Sequence, residues 1–128
     1  MKEKEKGEFV ESKFMALALE KGFIVSVPFG DSSNYDFVLG FEDKLIRVQI
    51  KSIFSKQENK DRYMTKMGWG KYKVPYIGVD VVVVFVVPED TWYIIPFDCI
   101  RGVNCCVYPH RESDGIYEQF KNAWHNLL

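Results

Sequence analysis

An almost unbroken apolar run, IGVDVVVVFVV, occupies residues 77–87. Its side chains are mostly β-branched and do not alternate with polar ones, a pattern typical of a strand that is covered on both faces. Such a strand needs a packed layer on each side, so the run predicts the centre of a sheet and not its edge. The chain has 128 residues, of which 47% are hydrophobic, and this is enough for one domain with that kind of core. We therefore expect a single domain that spans residues 1–128.

Two shorter apolar runs come before this central strand and predict a hairpin. They lie at residues 35–39 and 44–51, with Gly40-Phe41-Glu42-Asp43 as the turn. The alternation in the second strand places Leu45, Arg47, Gln49 and Lys51 on one face, and Ile46, Val48 and Ile50 on the other. Gln49 and Lys51 therefore point the same way, about 6.5 Å apart. Because packing gives no reason for a strand to end in Gln-Ile-Lys, we expect these side chains to have a function.

The N-terminal part of the chain predicts one helix and one strand. Apolar residues at helical spacing predict a helix at residues 8–21, which Gly22 ends. A strand at residues 23–27 ends at Pro28, because proline cannot donate a hydrogen bond to a sheet. Residues 29–34 are rich in glycine, serine and asparagine, which predicts a loop.

The C-terminal part completes the predicted fold. A strand at residues 91–95 stops at Pro96, and residues 97–107 fit both a helical turn and a further short strand, at residues 105–108. Helical spacing of apolar residues over residues 117–128 predicts an amphipathic closing helix. Together these elements predict an α/β core, a mixed β-sheet flanked by helices.

Charge is unevenly distributed along the chain. The formal net charge is −1, yet residues 51–75 carry seven basic residues against Glu58 and Asp61, so this segment has a net charge of +5 and the remainder −6. Basic residues interleaved with aromatic ones suit phosphate contact in a DNA groove, although a solvated surface loop fits the same composition. Its position directly after Lys51 favours a basic, partly flexible loop, at about residues 52–75, that contacts double-stranded DNA. The expected DNA-binding residues are Lys56, Lys60, Arg62, Lys66, Trp69, Lys71 and Lys73.

The sequence argues against several other classes of protein. The longest fully apolar run, residues 81–87, is far shorter than the roughly 20 residues of a membrane-spanning helix, and the N-terminus MKEKEKGE has no apolar signal core. We therefore expect an intracellular, cytoplasmic protein without a membrane partner. Cys99, Cys105 and Cys106 lack metal-site spacing and are accompanied by two histidines, so packed thiols are a better interpretation than a disulfide or a zinc site.

The predicted hairpin collects oxygen donors and one amine. Asp36 can supply a carboxylate to a hard divalent cation, and Gln49 can add an amide oxygen and Ile50 a backbone carbonyl oxygen. Lys51 can orient or deprotonate a water molecule, or neutralise a phosphate. This combination suits hydrolysis of a phosphodiester bond. Glu11 lies at the flank of the first helix's apolar stripe, where, taken alone, it is a surface glutamate.

The order of these residues resembles a known family. Glu11 on the first helix, Pro28-Phe29-Gly30, Asp36 at a hairpin and Gln49-Ile50-Lys51 are similar to the PD-(D/E)XK nuclease superfamily. The spacing is most similar to that of its bacterial group I intron-encoded homing endonucleases, and the likeness covers about residues 7–96. It implies a restriction-endonuclease-like core with a Mg²⁺ site, Mn²⁺ being an alternative cation. By the same resemblance the catalytic residues are Glu11, Asp36, Gln49 and Lys51, and the metal ligands are Glu11, Asp36, Gln49 and Ile50.

Gln49 departs from the pattern of the superfamily, most of which has Asp or Glu at this place. An amide removes one negative charge, so the affinity for a cation should fall unless Glu11 compensates. The homing branch tolerates a glutamine here. A relative that has lost the ability to cut would also show one.

Three functions fit the sequence. The first is a site-specific double-stranded DNA endonuclease of the homing type, which we expect to be a homo-oligomer, a dimer or tetramer, because one chain carries one cutting site and a duplex cut needs two. The second is a structure-selective nuclease such as a Holliday junction resolvase. The third is a nucleic-acid-binding module without catalysis, or an immunity-type partner protein.

Overall fold

The computed structural model of the chain describes residues 1–30, 32–68 and 78–128. Within these ranges one α-helix and seven strands form. In chain order they are α1 (Glu3–Glu20), β1 (Ile24–Ser26), β2 (Phe37–Phe41), β3 (Lys44–Ile53), β4 (Tyr63–Lys66), β5 (Val81–Val86), β6 (Thr91–Pro96) and β7 (Asn104–Val107).

Strand β5 lies inside the main sheet, as its apolar run predicts. All six of its residues are buried, and the sheet order is β1-β2-β3-β5-β6. β3 pairs with β5 in parallel, whereas the other pairs of this sheet are antiparallel. The predicted mixed sheet is therefore confirmed. Just before β5, the Asp80 carboxylate accepts hydrogen bonds from the backbone N–H and the guanidinium of Arg47, which fixes the start of β5 beside β3.

Both faces of the main sheet are covered around β5 and β6. Phe14 of α1 lies 5.9 Å from Trp92, measured between ring centroids, so α1 covers the face to which Trp92 points. The next residue, Tyr93, points to the opposite face and donates a hydrogen bond of 2.8 Å to Glu118 Oε1. Glu118 Oε2 accepts the backbone N–H of Tyr108, directly after β7. β7 pairs antiparallel with β4 in a second, two-stranded sheet.

The N-terminal helix is longer than predicted, and the hairpin turn is tighter. α1 begins at Glu3 instead of residue 8, because the first residues are lysines and glutamates, which are good helix formers, and Lys6 pairs with Glu3 at 3.1 Å. In the hairpin, β2 and β3 pair up to Phe41 and Lys44, so two residues, not four, form the turn. One of them, Glu42, has a φ of 55°, which is the left-handed conformation that a two-residue hairpin turn requires.

The predicted closing helix at residues 117–128 is wrong. Two short three-ten turns, Glu118–Phe120 and Trp124–Leu127, stand in its place. Asn122 between them has a φ of 52°, and its backbone N–H donates to the carbonyl oxygen of Trp92 at 2.7 Å. Asn126 Nδ2 donates to the carbonyl oxygen of Ile94 at 3.0 Å. The segment therefore follows the edge of β6 instead of coiling, and the expected flanking helices reduce to one α-helix in the described part of the chain.

The described part of the basic segment, residues 52–68, contains strand structure and is not a loop throughout. β3 continues to Ile53, and β4 pairs with β7. The expected DNA-binding residues Trp69, Lys71 and Lys73 lie outside the described residues.

Residues 97–107 adopt both structures that their sequence fits. They form a three-ten turn, Phe97–Cys99, followed by β7. The three cysteines are free thiols, and burial raises the pKa of Cys105 to about 12, as expected of a packed thiol.

No helix within the described ranges is both long and apolar enough to cross a bilayer.

Candidate active site

Asp36 is held by backbone atoms of the neighbouring strand. It stands one residue before β2, and its own N–H donates to the carbonyl oxygen of Val48 at 2.8 Å. The backbone N–H of Ile50 donates to Asp36 Oδ2 at 2.7 Å. The hairpin thus fixes both the main chain and the carboxylate of Asp36. The sequence predicted Asp36 inside a strand at residues 35–39. In the structure Asp36 precedes β2, and its carboxylate accepts a hydrogen bond from the backbone of β3.

Glu11 of α1 meets Asp36 at the edge of the sheet. It follows the buried Val10, so one side of the helix carries it towards the core, and its side chain is half-buried. The two carboxyl groups hydrogen-bond to each other. Burial, the negative charge of Asp36 and the hydrogen bond with it raise the pKa of Glu11 to about 7.

The pKa of Asp36 is also raised, although its neighbouring groups act to lower it. Burial is the largest cause, and it outweighs the Ile50 N–H, the hydrogen bond from Glu11 and the positive charge of Lys51, which all lower the pKa. With its pKa of about 7, Glu11 is partly protonated near neutral pH, and it shares that proton with Asp36. A cation in that place would supply the charge that the proton now supplies.

Gln49 and Lys51 lie on the less buried face of β3. The alternation predicted for this strand is confirmed, since Ile46, Val48 and Ile50 are buried while Gln49 and Lys51 are half-buried. Gln49 Nε2 lies 3.3 Å from the carbonyl oxygen of Ile50. Gln49 Oε1 makes no hydrogen bond to any residue that the structure describes. Asp36 therefore contacts both Glu11 and the Ile50 backbone, and the charge of Lys51 acts on it. Gln49 lies next to this group, where its amide contacts the Ile50 carbonyl oxygen.

A cleft of about 260 Å³ opens beside the two carboxyl groups. Besides Glu11 and Asp36 its walls include residues that the sequence analysis did not single out. Its lining residues are Glu11, Val27, Pro28, Gly30, Ser33, Tyr35 and Asp36. Gly30 has a φ of 81°, so the Pro-Phe-Gly turn was the sequence signal that could have indicated this wall.

The oxygen donors at this site suit a hard divalent cation. Carboxylate, amide and backbone carbonyl oxygens are the ligands that Mg²⁺ takes in proteins, with water completing its shell. Among the described residues no three His, Cys, Asp or Glu side chains come together as a metal site. A cation bound by Glu11 and Asp36 would therefore also need Gln49 Oε1, the Ile50 carbonyl oxygen or water as ligands.

Three of the four described basic residues of the predicted DNA-contacting segment, residues 52–75, already have polar neighbours. Lys56 Nζ lies 3.1 Å from Asp61, Arg62 Nε donates to Gln57 at 2.7 Å, and Lys66 Nζ donates to Asn104 at 2.6 Å. These contacts are at the surface, where an ion pair contributes little and a phosphate can replace it. Asp61 is also contacted by two residues that the sequence analysis missed, His110 at 2.9 Å and Arg111 at 3.1 Å.

The sequence and the fold both match known proteins. Residues 1–124 match the family model described as PD-(D/E)XK endonuclease. The structure is similar to that of the bacterial homing endonuclease I-Ssp6803I, with 26% sequence identity and a TM-score of 0.87 over 100% of this chain and 94% of that chain. It is also similar to Hjc, a Holliday junction resolvase from Archaeoglobus fulgidus, with 14% identity and a TM-score of 0.60 over 89% and 88% of the two chains. At 14% identity the second likeness concerns the fold alone. No curated protein sequence matches the chain.

Proposed function

Because the chain belongs to the PD-(D/E)XK endonuclease family, we propose that it is a site-specific endonuclease that hydrolyses double-stranded DNA with Mg²⁺, for which Mn²⁺ can substitute. The observation that supports the reaction is the contact between Glu11 and Asp36, fixed by the Ile50 N–H and close enough to Lys51 for its charge to act on Asp36. The homing type is supported by the likeness to I-Ssp6803I along the whole chain.

Each residue has a distinct task in this proposal. Asp36 and Glu11 would hold the cation, and Gln49 Oε1 and the Ile50 carbonyl oxygen would complete its protein ligands. When bound, a divalent cation stabilises the negative charge that develops on the phosphate and lowers the pKa of a water molecule. Glu11 would give up its proton on becoming a ligand. Lys51 places its ammonium group against the phosphate to neutralise one oxygen, or orients the attacking water.

DNA contact is assigned to the basic segment that follows Lys51. Lys56, Lys60, Arg62 and Lys66 belong to its described part. Trp69, Lys71 and Lys73 belong to the same proposal by sequence alone. Phosphate contacts of this kind fix the position of the duplex, and groove contacts supply the preference for a sequence.

A structure-selective nuclease is the second candidate, and one observation favours it: the likeness of the fold to the resolvase Hjc. That likeness is weaker both in identity and in TM-score than the likeness to I-Ssp6803I. A binding module without catalysis is the third, because Gln49 stands where most of the superfamily has a carboxylate.

Cleavage of two substrates separates these candidates. A plasmid library with a randomised insert and a synthetic four-way junction are each incubated with the protein and Mg²⁺. We expect defined cuts at a subset of the inserts, and we expect Asp36→Asn and Lys51→Met to lower the rate by roughly 100-fold or more. Asparagine can still accept the Ile50 N–H and methionine keeps the apolar stem, so both variants should fold.

Each other result selects another function. Cutting of the junction alone would assign the resolvase type. No cutting of either substrate, together with duplex binding, would assign the binding module. Cutting that survives both substitutions would remove the proposed site.

A further inference from the structure

Phe29 is the most exposed large apolar side chain among the described residues. Its relative exposure is 104%, compared with 72% for Ile24 and Leu45. A ring that is fully in water forgoes the stabilisation that burial would give it. Single exposed apolar residues are common, so the exposure of Phe29 alone does not indicate a function. Its position in the structure is more informative.

Phe29 stands at the rim of the cleft that holds the two carboxyl groups. Its neighbours on both sides, Pro28 and Gly30, line the same cleft as Glu11 and Asp36. Consecutive Cα atoms are 3.8 Å apart, so the ring begins within a few ångströms of that cleft while its side chain extends into solvent. A phosphate bound at Asp36 would therefore have its flanking nucleotides close to Phe29.

The backbone around Phe29 is suited to holding the ring outward. Pro28 has a restricted φ, and Gly30 takes a φ of 81°, so the turn is set by residue type. Because this backbone is already ordered, binding through Phe29 would cost less backbone conformational entropy.

The chemistry of the loop selects the part of DNA that it can contact. Residues 27–34, VPFGDSSN, contain no lysine or arginine. The loop therefore has no cation to offer a phosphate, and its largest contact group is an aromatic ring. Phenylalanine is among the side chains that proteins insert as wedges between base pairs, where they partly unstack one step.

We propose that Phe29 is a positioning residue that inserts against the base step next to the phosphate to be cut and makes the cut depend on how easily that step unstacks. The proposal rests on the proposed function. It predicts that the protein prefers to cut next to flexible base steps, because pyrimidine–purine steps unstack more readily than others.

A second copy of the chain is the other occupant that an exposed ring could have. A subunit packed against Phe29 would lie beside the cleft that Pro28 and Gly30 line and would compete with DNA for access to Asp36. The duplex is therefore the occupant that agrees with access to the carboxyl groups.

The test compares Phe29→Ala and Phe29→Leu with Ile116→Ala, a matched loss of an exposed apolar side chain, 58% exposed, outside the cleft. Wild-type protein first selects its sites from the randomised plasmid library. Duplexes of a selected site then carry 2-aminopurine at each base step around the cut, and the Asp36→Asn background prevents cutting while fluorescence reports unstacking. We expect a rise at one step with Phe29, no rise with Phe29→Ala, and binding roughly 10-fold weaker. In the cutting-competent protein, Phe29→Ala should lose the base preference at that step and keep its thermal stability, and Phe29→Leu should retain part of the preference.

Failures of this inference and of the proposed function are distinguishable. Wild-type cutting with the same fluorescence and the same base preference in Phe29→Ala would overturn the inference alone. A smaller oligomer in Phe29→Ala, seen by light scattering, would assign the ring to a subunit contact and would also overturn it. Absence of cutting by the wild type on every substrate would overturn both.

Discussion

Glu11 and Asp36 lie where ionisation of both carboxyl groups is unfavourable. Burial raises both pKa values, and the negative charge of Asp36 raises that of Glu11 further, although the Ile50 N–H, the hydrogen bond from Glu11 and Lys51 favour the ionised form of Asp36. A structural ion-pair network would satisfy these charges within the protein. The pair instead keeps a proton that a divalent cation can displace, and this is the arrangement that a cation site has before it binds its ion.

The first prediction concerns the protonation of Glu11 without metal. Its pKa in the folded chain, about 7, exceeds the ordinary 4.5, so the folded state binds the proton more tightly than the unfolded state. Glu11 therefore lowers the stability progressively as pH rises from about 4.5 to about 7, and the loss is complete above that range. Glu11→Gln should remove this loss. Urea unfolding of both proteins at about pH 5 and about pH 8 measures it.

We expect the wild type to lose stability relative to Glu11→Gln between these two pH values, and added Mg²⁺ to restore it at the higher pH. Because Glu11 is partly exposed, the effect should be smaller than the pKa shift alone implies. Glu20→Gln, at the exposed end of α1, is the matched control. Equal pH dependence in wild type and Glu11→Gln would contradict the shared proton.

A second prediction at this scale concerns Gln49. If Oε1 is a metal ligand, Gln49→Glu adds a negative charge and should lower the Mg²⁺ concentration needed for half-maximal cutting, whereas Gln49→Ala should raise it. The added carboxylate would also pair with the Lys51 ammonium and compete with the phosphate for it, so the cutting rate can fall while metal affinity rises. Mg²⁺ titration of cleavage and of metal binding for the three proteins provides the measurement. Identical Mg²⁺ dependence in all three would exclude Gln49 from the site.

At the scale of the elements, the sequence predicted the main sheet well, because its strands carry strong patterns. The alternation that buries Ile46, Val48 and Ile50 and the unbroken run of β5 are local signals of how many faces are covered. The same alternation oriented Gln49 and Lys51 correctly. The contact between Glu11 and Asp36 was not visible in any local pattern. It was expected only from a family resemblance, since it depends on how α1 packs against the hairpin.

The C-terminal segment shows why the rest of the fold could not be predicted from the sequence. Phe120, Ala123 and Leu127 are buried, as the helical spacing predicted. Spacing of three and four residues, however, also suits successive three-ten turns. The left-handed Asn122 and its hydrogen bond to Trp92 decide between the two, and that bond joins residues far apart in the sequence.

The third prediction tests whether the C-terminal segment stabilises the sheet at the edge of β6. Asn126→Ala removes the donor to the Ile94 carbonyl oxygen at the edge of β6 and should lower the free energy of unfolding by about 1 kcal/mol. Gln119→Ala removes a longer amide contact, 3.4 Å, from an exposed side chain and should change it by less than about 0.5 kcal/mol. Chemical unfolding of the three proteins compares them. Equal stability of Asn126→Ala and wild type would mean that the segment does not stabilise the sheet.

At the scale of the whole molecule, a chain with a net charge of −1 can bind DNA only through a local excess of positive charge. If the basic segment makes four phosphate contacts, the logarithm of the association constant should fall with the logarithm of salt concentration with a slope of roughly −3.6. Combined Lys60→Ala and Lys66→Ala should flatten the slope by nearly two units. Fluorescence anisotropy with a labelled duplex, without divalent cations, measures this slope.

Lys2→Ala combined with Lys4→Ala is the control for this fourth prediction. It changes the net charge of the chain equally, but at the exposed start of α1. Its slope should stay near that of the wild type. Equal flattening by both pairs would assign the salt dependence to overall charge and not to the basic segment.

The last prediction concerns the number of chains that act together. The described part of one chain holds one pair of carboxyl groups beside one lysine, whereas a duplex has two strands to cut. We propose that the active form is a homo-oligomer, a dimer or tetramer, in which two sites each cut one strand. Co-expression of wild type with differently tagged Asp36→Asn, followed by purification through both tags, gives oligomers in which some chains cannot cut.

Because each site serves one strand, a mixed dimer should convert supercoiled plasmid carrying a selected site into nicked circles and stop there, whereas the wild type should give linear DNA. In a tetramer with two chains at the cut, roughly a sixth of evenly mixed particles would hold two competent chains at those positions, so linear product should persist at a reduced level. Light scattering of the wild type determines which case applies. Linear product from mixed dimers at the full wild-type rate would mean that one site cuts both strands in turn, and a particle with the mass of a single chain would mean that no partner is needed.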